Sequence, residues 1–343
     1  MKNALRKRKL ISAVILGLLT SSCAEEPLVK PTEPDDSVVP YSDTLATPGQ
    51  TDNLPGRKPL TGIYAQYSPV KNFIRHMVRT HGFSEDYLNG LFSNATRLES
   101  VLRLENAQGY QGPVAPKPGS WSRYRKQFLT DAHINNGVQF WSSNADAVQK
   151  ASATYGVDPE YIIAIIGVET FFGRNVGKTR TFDALATLAF DTQRRSKFFT
   201  TELENFLLMS REEGLSARET VGSWAGALGL GQFMPSSFRS LAVDFDHDGK
   251  RNLWQPNDAI GSVAHYFSKN GWQAKQPVTE PIRDNAGASS ITLSTDHGNE
   301  YWRVHPNFKV IKKYNNSDKY AMAVHQLAQA IKQQYSAAAI SRY

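Results

Sequence analysis

The sequence predicts a mainly helical protein of the α+β class that carries a small β insertion. Most of the chain after residue 60 has apolar residues at the spacing of amphipathic helices. Alternation typical of strands occurs between about residues 275 and 312, at 290–294 and 301–304. With 343 residues, the chain is long enough for one large or two coupled helical domains with a sizeable core.

The amino terminus predicts a lipoprotein signal peptide over residues 1–22. A basic head is followed by a short apolar stretch at 10–19 and then by Cys23, the one cysteine of the chain. No internal disulfide can therefore form. The pattern resembles the bacterial lipoprotein box, with Thr20 where Leu is usual, and implies lipid attachment at Cys23. The alternative is a cysteine that lies in a discarded signal peptide.

Processing changes the charge of the protein. Removal of residues 1–22 takes away five basic residues and no acidic one, so the formal net charge falls from +7 to about +2. We therefore expect no nucleic-acid partner. Residues 23–60, rich in Pro, Thr and Asp in their first part, predict a flexible tether. Ala24 in place of an aspartate favours the periplasmic face of the outer membrane, with the lipid as the membrane anchor.

The rest of the chain is predicted in four parts. Residues 61–150 form an N-terminal helical region, 151–274 the core, 275–312 the β insertion and 313–343 a C-terminal helix that completes the core. Helical spacing predicts helices at 70–80, 84–94, 145–155, 158–172, 181–190, 197–213, 235–243, 258–270 and 320–335.

Glu169 is the strongest candidate for catalysis. It is the one charged residue between Tyr161 and Phe172, in a run that residues 158–160 open with an N-cap, a first-turn proline and an acid. We expect Gly173 to end this helix. Desolvation raises the pKa of a buried carboxyl until it can donate a proton near neutrality. The alternative is a structural glutamate paired with Arg174 or Arg180.

A glycine-rich segment follows at residues 222–237. Gly226, Gly229 and Gly231 allow a tight backbone that approaches a ligand closely, and expose Ser223, Gln232 and Phe233. Hydroxyl-rich sugars with stackable faces suit such a loop. The Gly-Lys-Ser ending of a phosphate loop is absent from it. An ordinary helix-entry loop before Pro235 is the alternative.

An acidic segment predicts a calcium site. Asp244, Asp246 and Asp248 alternate and are followed by Gly249, as in the first half of an EF-hand loop. The twelfth position holds Gln255 in place of the bidentate Glu, so Asp258 is expected to close a longer loop. A chance acidic turn is the alternative.

Several motifs together resemble the membrane-bound lytic murein transglycosylases of the B type, over residues 68–335. They are Trp121-Ser-Arg-Tyr-Arg-Lys-Gln-Phe128, Ile166-Gly-Val-Glu-Thr170, Gly229-Leu-Gly-Gln-Phe-Met-Pro-Ser-Ser237 and Tyr320-Ala-Met-Ala-Val324. The resemblance implies a lysozyme-like helical core with an EF-hand-like loop. The β insertion is shorter than in well-known members, and Leu230 replaces a frequent aromatic. These departures concern the outer substrate subsites and leave the core chemistry unchanged.

The resemblance implies that Glu169 alone cuts the β-1,4 bond between N-acetylmuramic acid and N-acetylglucosamine. It would protonate the leaving oxygen and then deprotonate the C6 hydroxyl, which closes a 1,6-anhydro ring. Water is not the nucleophile, so a second carboxylate can be absent. Asp183 and Asp191 are the nearest later acids, and Asp183 reads as an N-cap. A hydrolytic muramidase and a non-catalytic peptidoglycan-binding lipoprotein are the alternatives.

The resemblance also implies the groove and the ligands. The alternative for the groove residues is core packing. Arg194 and Arg195 would face the stem peptide or the muramoyl carboxylate, and the alternative for these two arginines is simple solvation. One structural Ca²⁺ would take the three alternating acids, the Lys250 carbonyl and Asp258, and no catalytic cofactor is expected. The protein is expected to be a monomer that acts on glycan strands and meets wall-synthesis proteins. The groove residues are Ser223, Gln232, Phe233, Met234, Tyr266, Tyr314, Tyr320, Arg194 and Arg195.

Overall fold

A computed structural model describes residues 58–108, 117–284, 287 and 289–340. These residues form a mainly helical protein with small sheets, which confirms the predicted fold class. They divide into a small unit, residues 58–94, and a large unit that begins at Ala95. The predicted signal peptide, Cys23 and most of the predicted tether lie outside the described residues.

The small unit contains a short 3-10 helix, Gly62–Tyr64, and the helices α1 (Ser68–His81) and α2 (Glu85–Ser93). Helix α1 is amphipathic, and it ends because Gly82 takes up a left-handed conformation. Ser84 caps α2 by accepting a hydrogen bond from the Tyr87 amide. The buried side chains of α1 are Val70, Phe73, Ile74 and Met77.

The large unit opens with four helices, α3 (Glu99–Ala107), α4 (Ser120–Arg125), α5 (Asp131–Ser143) and α6 (Ala145–Tyr155). The first three were not predicted from the sequence. Helix α5 buries few of its residues, and Trp141 is its one buried large side chain, so its apolar stripe is too weak to predict a helix. Its start is fixed by Thr130, whose side chain accepts from the His133 amide.

The central elements follow in the order α7 (Pro159–Thr170), β1 (Thr179–Arg180), α8 (Thr181–Phe190), α9 (Ser196–Glu212), β2 (Val221–Gly222), α10 (Pro235–Leu241) and α11 (Pro256–Lys269). Strands β1 and β2 pair antiparallel. Every residue of α7 after Pro159 is buried. A helix that is apolar all round belongs in the middle of a core, and α7 contacts α5, α6 and α11.

The β insertion comprises β3 (Thr279–Ile282), β4 (Ser290–Thr295) and β5 (Gly298–Val304). They form an antiparallel sheet in the order β3-β5-β4. The two predicted strands are β4 and β5, whereas β3 was missed because it contains Pro281. Helices α12 (Pro306–Tyr314) and α13 (Asp318–Ile340) complete the unit, and α13 packs along α7.

The predicted end of α7 at Gly173 is wrong. The helix ends at Thr170, and Phe171 and Phe172 both adopt left-handed conformations, with φ of 52° and 58°. Such angles are costly for bulky residues, so the surroundings must hold them. The ring of Phe172 lies against Gly167 of α7 and Gly137 of α5, where an added Cβ would come within 2.6 and 3.1 Å of its Cζ atom.

Two capping predictions need correction or refinement. Asp183 is not an N-cap: Arg180 occupies the N-cap position of α8, and Asp183 lies in its first turn. Asp158 is the N-cap residue of α7, but no side-chain capping bond is made. Its carboxylate instead accepts from the Trp272 indole and the Lys275 amide, because both groups pack over the start of α7.

Among the described residues, no helix is both long and apolar enough to cross a bilayer.

Candidate active site

The candidate site centres on Glu169 in the last turn of α7. Its side chain is buried, with 4% of the residue exposed, and its Oε1 accepts a hydrogen bond of 2.6 Å from the Tyr320 hydroxyl. Burial raises the pKa of Glu169 from the ordinary 4.5 to about 7, and the hydrogen bond from Tyr320 opposes part of that rise. The structure does not pair Glu169 with Arg174 or Arg180, which was the alternative. Arg180 pairs with Asp183, and Arg174 lies over the Phe171 ring.

Three tyrosines from three helices surround this carboxyl group. Tyr124 of α4, Tyr314 of α12 and Tyr320 of α13 all have raised pKa values, first through burial and then through the negative charge of Glu169. Neutral phenols therefore enclose the acid at every working pH. Tyr124 was not among the predicted site residues. Its signal was the motif at 121–128, in which it is the one tyrosine.

A threonine next to the acid ties its helix to the glycine-rich segment. Thr170 Oγ1 lies 2.9 Å from the carbonyl oxygen of Leu230 and accepts a 3.0 Å hydrogen bond from the Gly173 amide. This side chain is 1% exposed, so the bond to Leu230 is shielded from water. The loop that carries the predicted sugar contacts is thus fixed relative to Glu169.

The loop itself needs its glycines. Gly229 has φ of +69°, and a Cβ there would lie 2.4 Å from Leu253 Cβ and 2.5 Å from its carbonyl oxygen. The next glycine, Gly231, offers its carbonyl to the Tyr314 hydroxyl at 2.5 Å. Gln232 has a left-handed φ of 52° and donates from Nε2 to the Gly229 carbonyl at 2.9 Å. The loop conformation is therefore held by its own side chains and by α12.

An aromatic cluster adjoins the loop. The Phe233 ring contacts Tyr266 and Tyr314, each with a centroid distance of 6.0 Å, and the two tyrosines lie 4.7 Å apart. The structure thus brings together Phe233, Tyr266, Tyr314 and, through Glu169, Tyr320. Met234 is buried at the start of α10. Phe233 is only 3% exposed, so the predicted exposure of its side chain is wrong, because its ring packs against Tyr266 and Tyr314.

Three residues that were predicted to contact the substrate have other partners in the structure. Ser223 Oγ accepts hydrogen bonds from the amides of Ala225 and Ala227. Arg194 and Arg195 both pair with Glu105 of α3, which is 2% exposed. The pairing with Glu105 was not visible in the sequence, because this residue lies 89 and 90 positions away from the arginines. The role of these three residues in substrate binding stays a prediction.

The acidic segment lies between α10 and α11. Carboxylate oxygens of Asp244, Asp246 and Asp258 lie within 4.8 Å of one another. Asp258 also accepts from the Phe245 and Asn252 amides, at 2.7 and 2.6 Å. Burial raises the pKa of Asp258, its two amide hydrogen bonds lower it, and nearby Asp246 raises it. Three convergent hard oxygens fit a divalent cation such as Ca²⁺.

Asp248 does not join this cluster. Its carboxylate accepts from the Lys250 amide at 2.9 Å, and its own amide donates to Asp244. The turn is made by His247 and Gly249, with φ of 64° and 91°. In this arrangement the loop closes on itself by amide hydrogen bonds to its carboxylates.

Comparison with known proteins gives consistent matches. The family described as Transglycosylase SLT domain matches residues 65–294 and 280–329. Membrane-bound lytic murein transglycosylase B of Escherichia coli K12 is 41% identical over 360 residues, which cover 95% of this chain and 98% of that protein.

Solved structures agree with this match. Escherichia coli lytic transglycosylase Slt35 in complex with calcium superposes with a TM-score of 0.76 at 42% identity, over 81% of this chain and 97% of that one. SltB3 of Pseudomonas aeruginosa, in complex with NAG-anhNAM-pentapeptide, gives a TM-score of 0.65 at 28% identity, over 77% and 78%. Sequence, fold and the buried glutamate of α7 point the same way, and the chain belongs to the transglycosylase SLT family.

Proposed function

We propose that Glu169 is the single acid and base of this chain, which is a lytic murein transglycosylase of the lyase class acting on peptidoglycan. The observation that carries the assignment is a carboxyl group that is almost fully buried and has a pKa of about 7. Such a group holds comparable amounts of acid and carboxylate at neutral pH. That balance suits a residue that first gives a proton and then takes one.

The reaction begins with protonated Glu169. It donates its proton to the β-1,4 glycosidic oxygen between N-acetylmuramic acid and N-acetylglucosamine, and the bond from that oxygen to C1 of the muramic acid breaks. Positive charge develops at C1 while Glu169 becomes a carboxylate. The N-acetylglucosamine leaves with a free hydroxyl group.

The second step returns the proton. The Glu169 carboxylate removes it from the C6 hydroxyl of the same muramic acid, and the C6 oxygen attacks C1 to close the 1,6-anhydro ring. No water is consumed, and the enzyme regains its starting form. The SltB3 structure with NAG-anhNAM-pentapeptide supports an anhydro product for this family.

Tyr320 acts on both steps by orienting the acid. Its hydroxyl donates to Oε1 and so stabilises the carboxylate that exists between the two proton transfers. Because one oxygen of Glu169 is held this way, Oε2 is the atom we assign to proton transfer. Tyr124 and Tyr314 line the same space with neutral phenols.

A single carboxylate is sufficient for this route, and the other candidates are engaged elsewhere. Asp183 accepts from Arg180 and from the Thr96 amide, and Asp191 pairs with Arg97. A hydrolase of the retaining or inverting kind needs a second carboxylate beside the bond. These partners therefore favour the anhydro route over the hydrolytic alternative.

We assign sugar binding to the glycine-rich loop and its aromatic cluster. Gln232 offers its carboxamide oxygen from a fixed backbone, since its Nε2 donates to the Val176 and Gly229 carbonyls. The half-buried Tyr266 ring provides a face for stacking, and the buried Phe233 ring supports it from behind. Ser223 and Met234 border the same loop. Arg194 keeps 44% of its side chain exposed beside Glu105, so it remains our candidate for an anionic group of the stem peptide.

We assign one structural Ca²⁺ to the loop between α10 and α11. Asp244, Asp246 and Asp258 would hold it, with the Lys250 carbonyl and, after a rotation of its side chain, Asp248. The relative in complex with calcium supports this choice of ion. When bound, the cation would neutralise converging carboxylates and so stabilise the loop.

Membrane association follows from the membrane-bound relative. We propose that it occurs through a lipid at Cys23, on the periplasmic face of the outer membrane, and that the protein works as a monomer. Residues 23–60 would tether the helical units to that lipid, with the domain boundaries given above.

Product analysis tests the chemistry directly. Purified peptidoglycan is digested in water enriched in a heavy isotope of oxygen. The enzymes compared are the parent, Glu169→Gln and, as a control that changes another buried glutamate of α7, Glu160→Gln. We expect the parent and the control to release anhydro muropeptides without heavy oxygen, and Glu169→Gln to release almost none. Heavy oxygen at the new ends would establish a hydrolase, and comparable turnover by Glu169→Gln would refute the assignment.

A further inference from the structure

Helix α1 of the small unit carries a basic face that the catalytic site does not use. Tyr67, the N-cap residue of α1, is followed at intervals of four residues by Lys71, Arg75 and Arg79. Each is a neighbour of the next on the helix surface, and the row winds by about 120° around the helix from end to end. All four are exposed, whereas the opposite side is buried. We call these four residues the α1 ridge.

The ridge is positively charged and carries no acid. Helix α1 contains no Asp or Glu, and the two acids of the small unit, Glu85 and Asp86, lie in the first turn of α2. No ion pair among the described residues involves Lys71, Arg75 or Arg79. Arg75 instead donates to the Asn72 carboxamide one turn earlier. Within the described part of the chain, the three charges therefore have no carboxylate partner.

Exposed apolar side chains are concentrated in the same unit. Of the four large apolar side chains that the described residues leave exposed, Ile63, Tyr67 and Tyr87 belong to residues 58–94. Tyr67 stands at the start of the ridge, 40% exposed. Amphipathic rings beside basic groups are typical of proteins that rest on a lipid headgroup layer.

We propose that the α1 ridge binds the anionic headgroups of the phospholipid membrane that carries the protein. The inference goes beyond the reaction at Glu169 and rests on the lipid anchor proposed at Cys23. The ridge belongs to the first α-helix after the predicted tether, and 34 residues separate Cys23 from Lys58. A flexible chain of that length would have a root-mean-square end-to-end distance of about 30 Å, which would keep the ridge near the bilayer at a high effective concentration.

The strength of the contact follows from its charges. A basic residue at an anionic membrane surface contributes about 1 kcal/mol, so three of them change the partition coefficient by about a hundredfold. That is too weak to hold an unanchored protein in physiological salt, but sufficient to keep a tethered unit against the surface. The ridge therefore orients the small unit, whereas the lipid provides the attachment.

The test uses the mature chain with Cys23→Ser, which carries no lipid. Co-sedimentation is measured at low ionic strength with vesicles of phosphatidylethanolamine and phosphatidylglycerol, and with neutral phosphatidylcholine vesicles. The triple variant Lys71→Gln, Arg75→Gln, Arg79→Gln is compared with a control of equal charge, Lys197→Gln, Lys269→Gln, Lys309→Gln. The control residues are exposed lysines on α9, α11 and α12.

We expect binding to the anionic vesicles alone, its loss at high salt, and a fall of about a hundredfold for the ridge variant against little change for the control. Absence of binding by the parent would overturn the proposal, as would equal losses in the two triple variants. Loss of binding to purified peptidoglycan, with vesicle binding intact, would make the ridge a wall contact and also overturn it. Unchanged turnover of solubilised glycan strands verifies that the variants are folded.

Discussion

Removal of the Tyr320 hydroxyl should move the pH dependence of the enzyme upward. In Tyr320→Phe the ring remains, and the 2.6 Å hydrogen bond to Glu169 Oε1 is lost. Hydrogen bonds to charged groups contribute about 1.5–3 kcal/mol, and 1.36 kcal/mol corresponds to one pH unit. The bond stabilises the carboxylate, so its loss raises the pKa of Glu169 above about 7 by roughly one to two pH units.

The consequence is visible in the alkaline limb of the rate profile. The free enzyme must hold its proton to attack the glycosidic oxygen, so kcat/KM falls as the pH rises through the pKa of Glu169. In Tyr320→Phe this fall should occur at higher pH, while the maximal kcat drops because the carboxylate between the two steps is less stable. The profile is measured on purified peptidoglycan with quantification of the released muropeptides.

Tyr314→Phe is the matched control. It removes another buried hydroxyl from the same space, but one that donates to the Gly231 carbonyl. Its alkaline midpoint should stay within a few tenths of a pH unit of the parent, although its turnover can fall through the loop. A Tyr320→Phe midpoint that stays in place or moves to lower pH would refute the role assigned to this hydrogen bond.

Three other changes have defined outcomes. Glu169→Gln should lower turnover at least about 10²-fold. The variant should also become more stable relative to the parent as the pH rises. The folded-state pKa of Glu169, about 7, exceeds the ordinary 4.5, so between these two pH values the parent loses up to about 3 kcal/mol of its free energy of unfolding, whereas the variant does not. Equal pH dependence of the two melting temperatures would contradict the raised pKa. Cys23→Ser should yield periplasmic protein that washing in physiological salt releases from membranes and that still digests isolated walls; retention in the membrane fraction without a lipid would show another means of attachment. Calcium should raise the melting temperature of the parent by several degrees, as about 2.7 kcal/mol is gained at a hundredfold excess over Kd, and should leave Asp246→Asn almost unchanged; identical melts with calcium and chelator would eliminate the site.

The helix of the candidate acid could be predicted because its sequence is unusual in one way. The run from Tyr161 to Val168 contains no charged residue and would be unfavourable on a protein surface, so the composition predicted that α7 and Glu169 are buried. Helix α5 shows the opposite case. Its exposed polar residues carry too little periodicity, and it is a helix because its few buried residues pack on α7 and α13.

Side-chain partners were much harder to predict than elements. Tyr320 meets Glu169 across 151 positions of sequence, and the two arginines meet Glu105 across about 90. The spacing of residues within one element does not predict contacts between residues so far apart in the sequence. The family resemblance predicted Tyr314 and Tyr320 as site residues. Tyr124 was identified as one only from the structure, in which α4 packs against α13.

The ring of Phe172 couples evolutionary change at its own position to two glycines, Gly167 five residues earlier on α7 and Gly137 on α5. Its Cζ atom fills the space that a methyl group at Gly167 or Gly137 would occupy. Gly167 can therefore accept a side chain only after position 172 has become smaller, and a smaller residue at 172 leaves a cavity until Gly167 has changed. Gly137 needs room at Ile331 as well, whose Cδ1 atom would lie 2.4 Å from an added Cβ. Each single step lowers stability, through overpacking in one order and through a void in the other. Positions 167 and 172 should thus change together or not at all, and a laboratory lineage that enters through position 172 would show sign epistasis at Gly167.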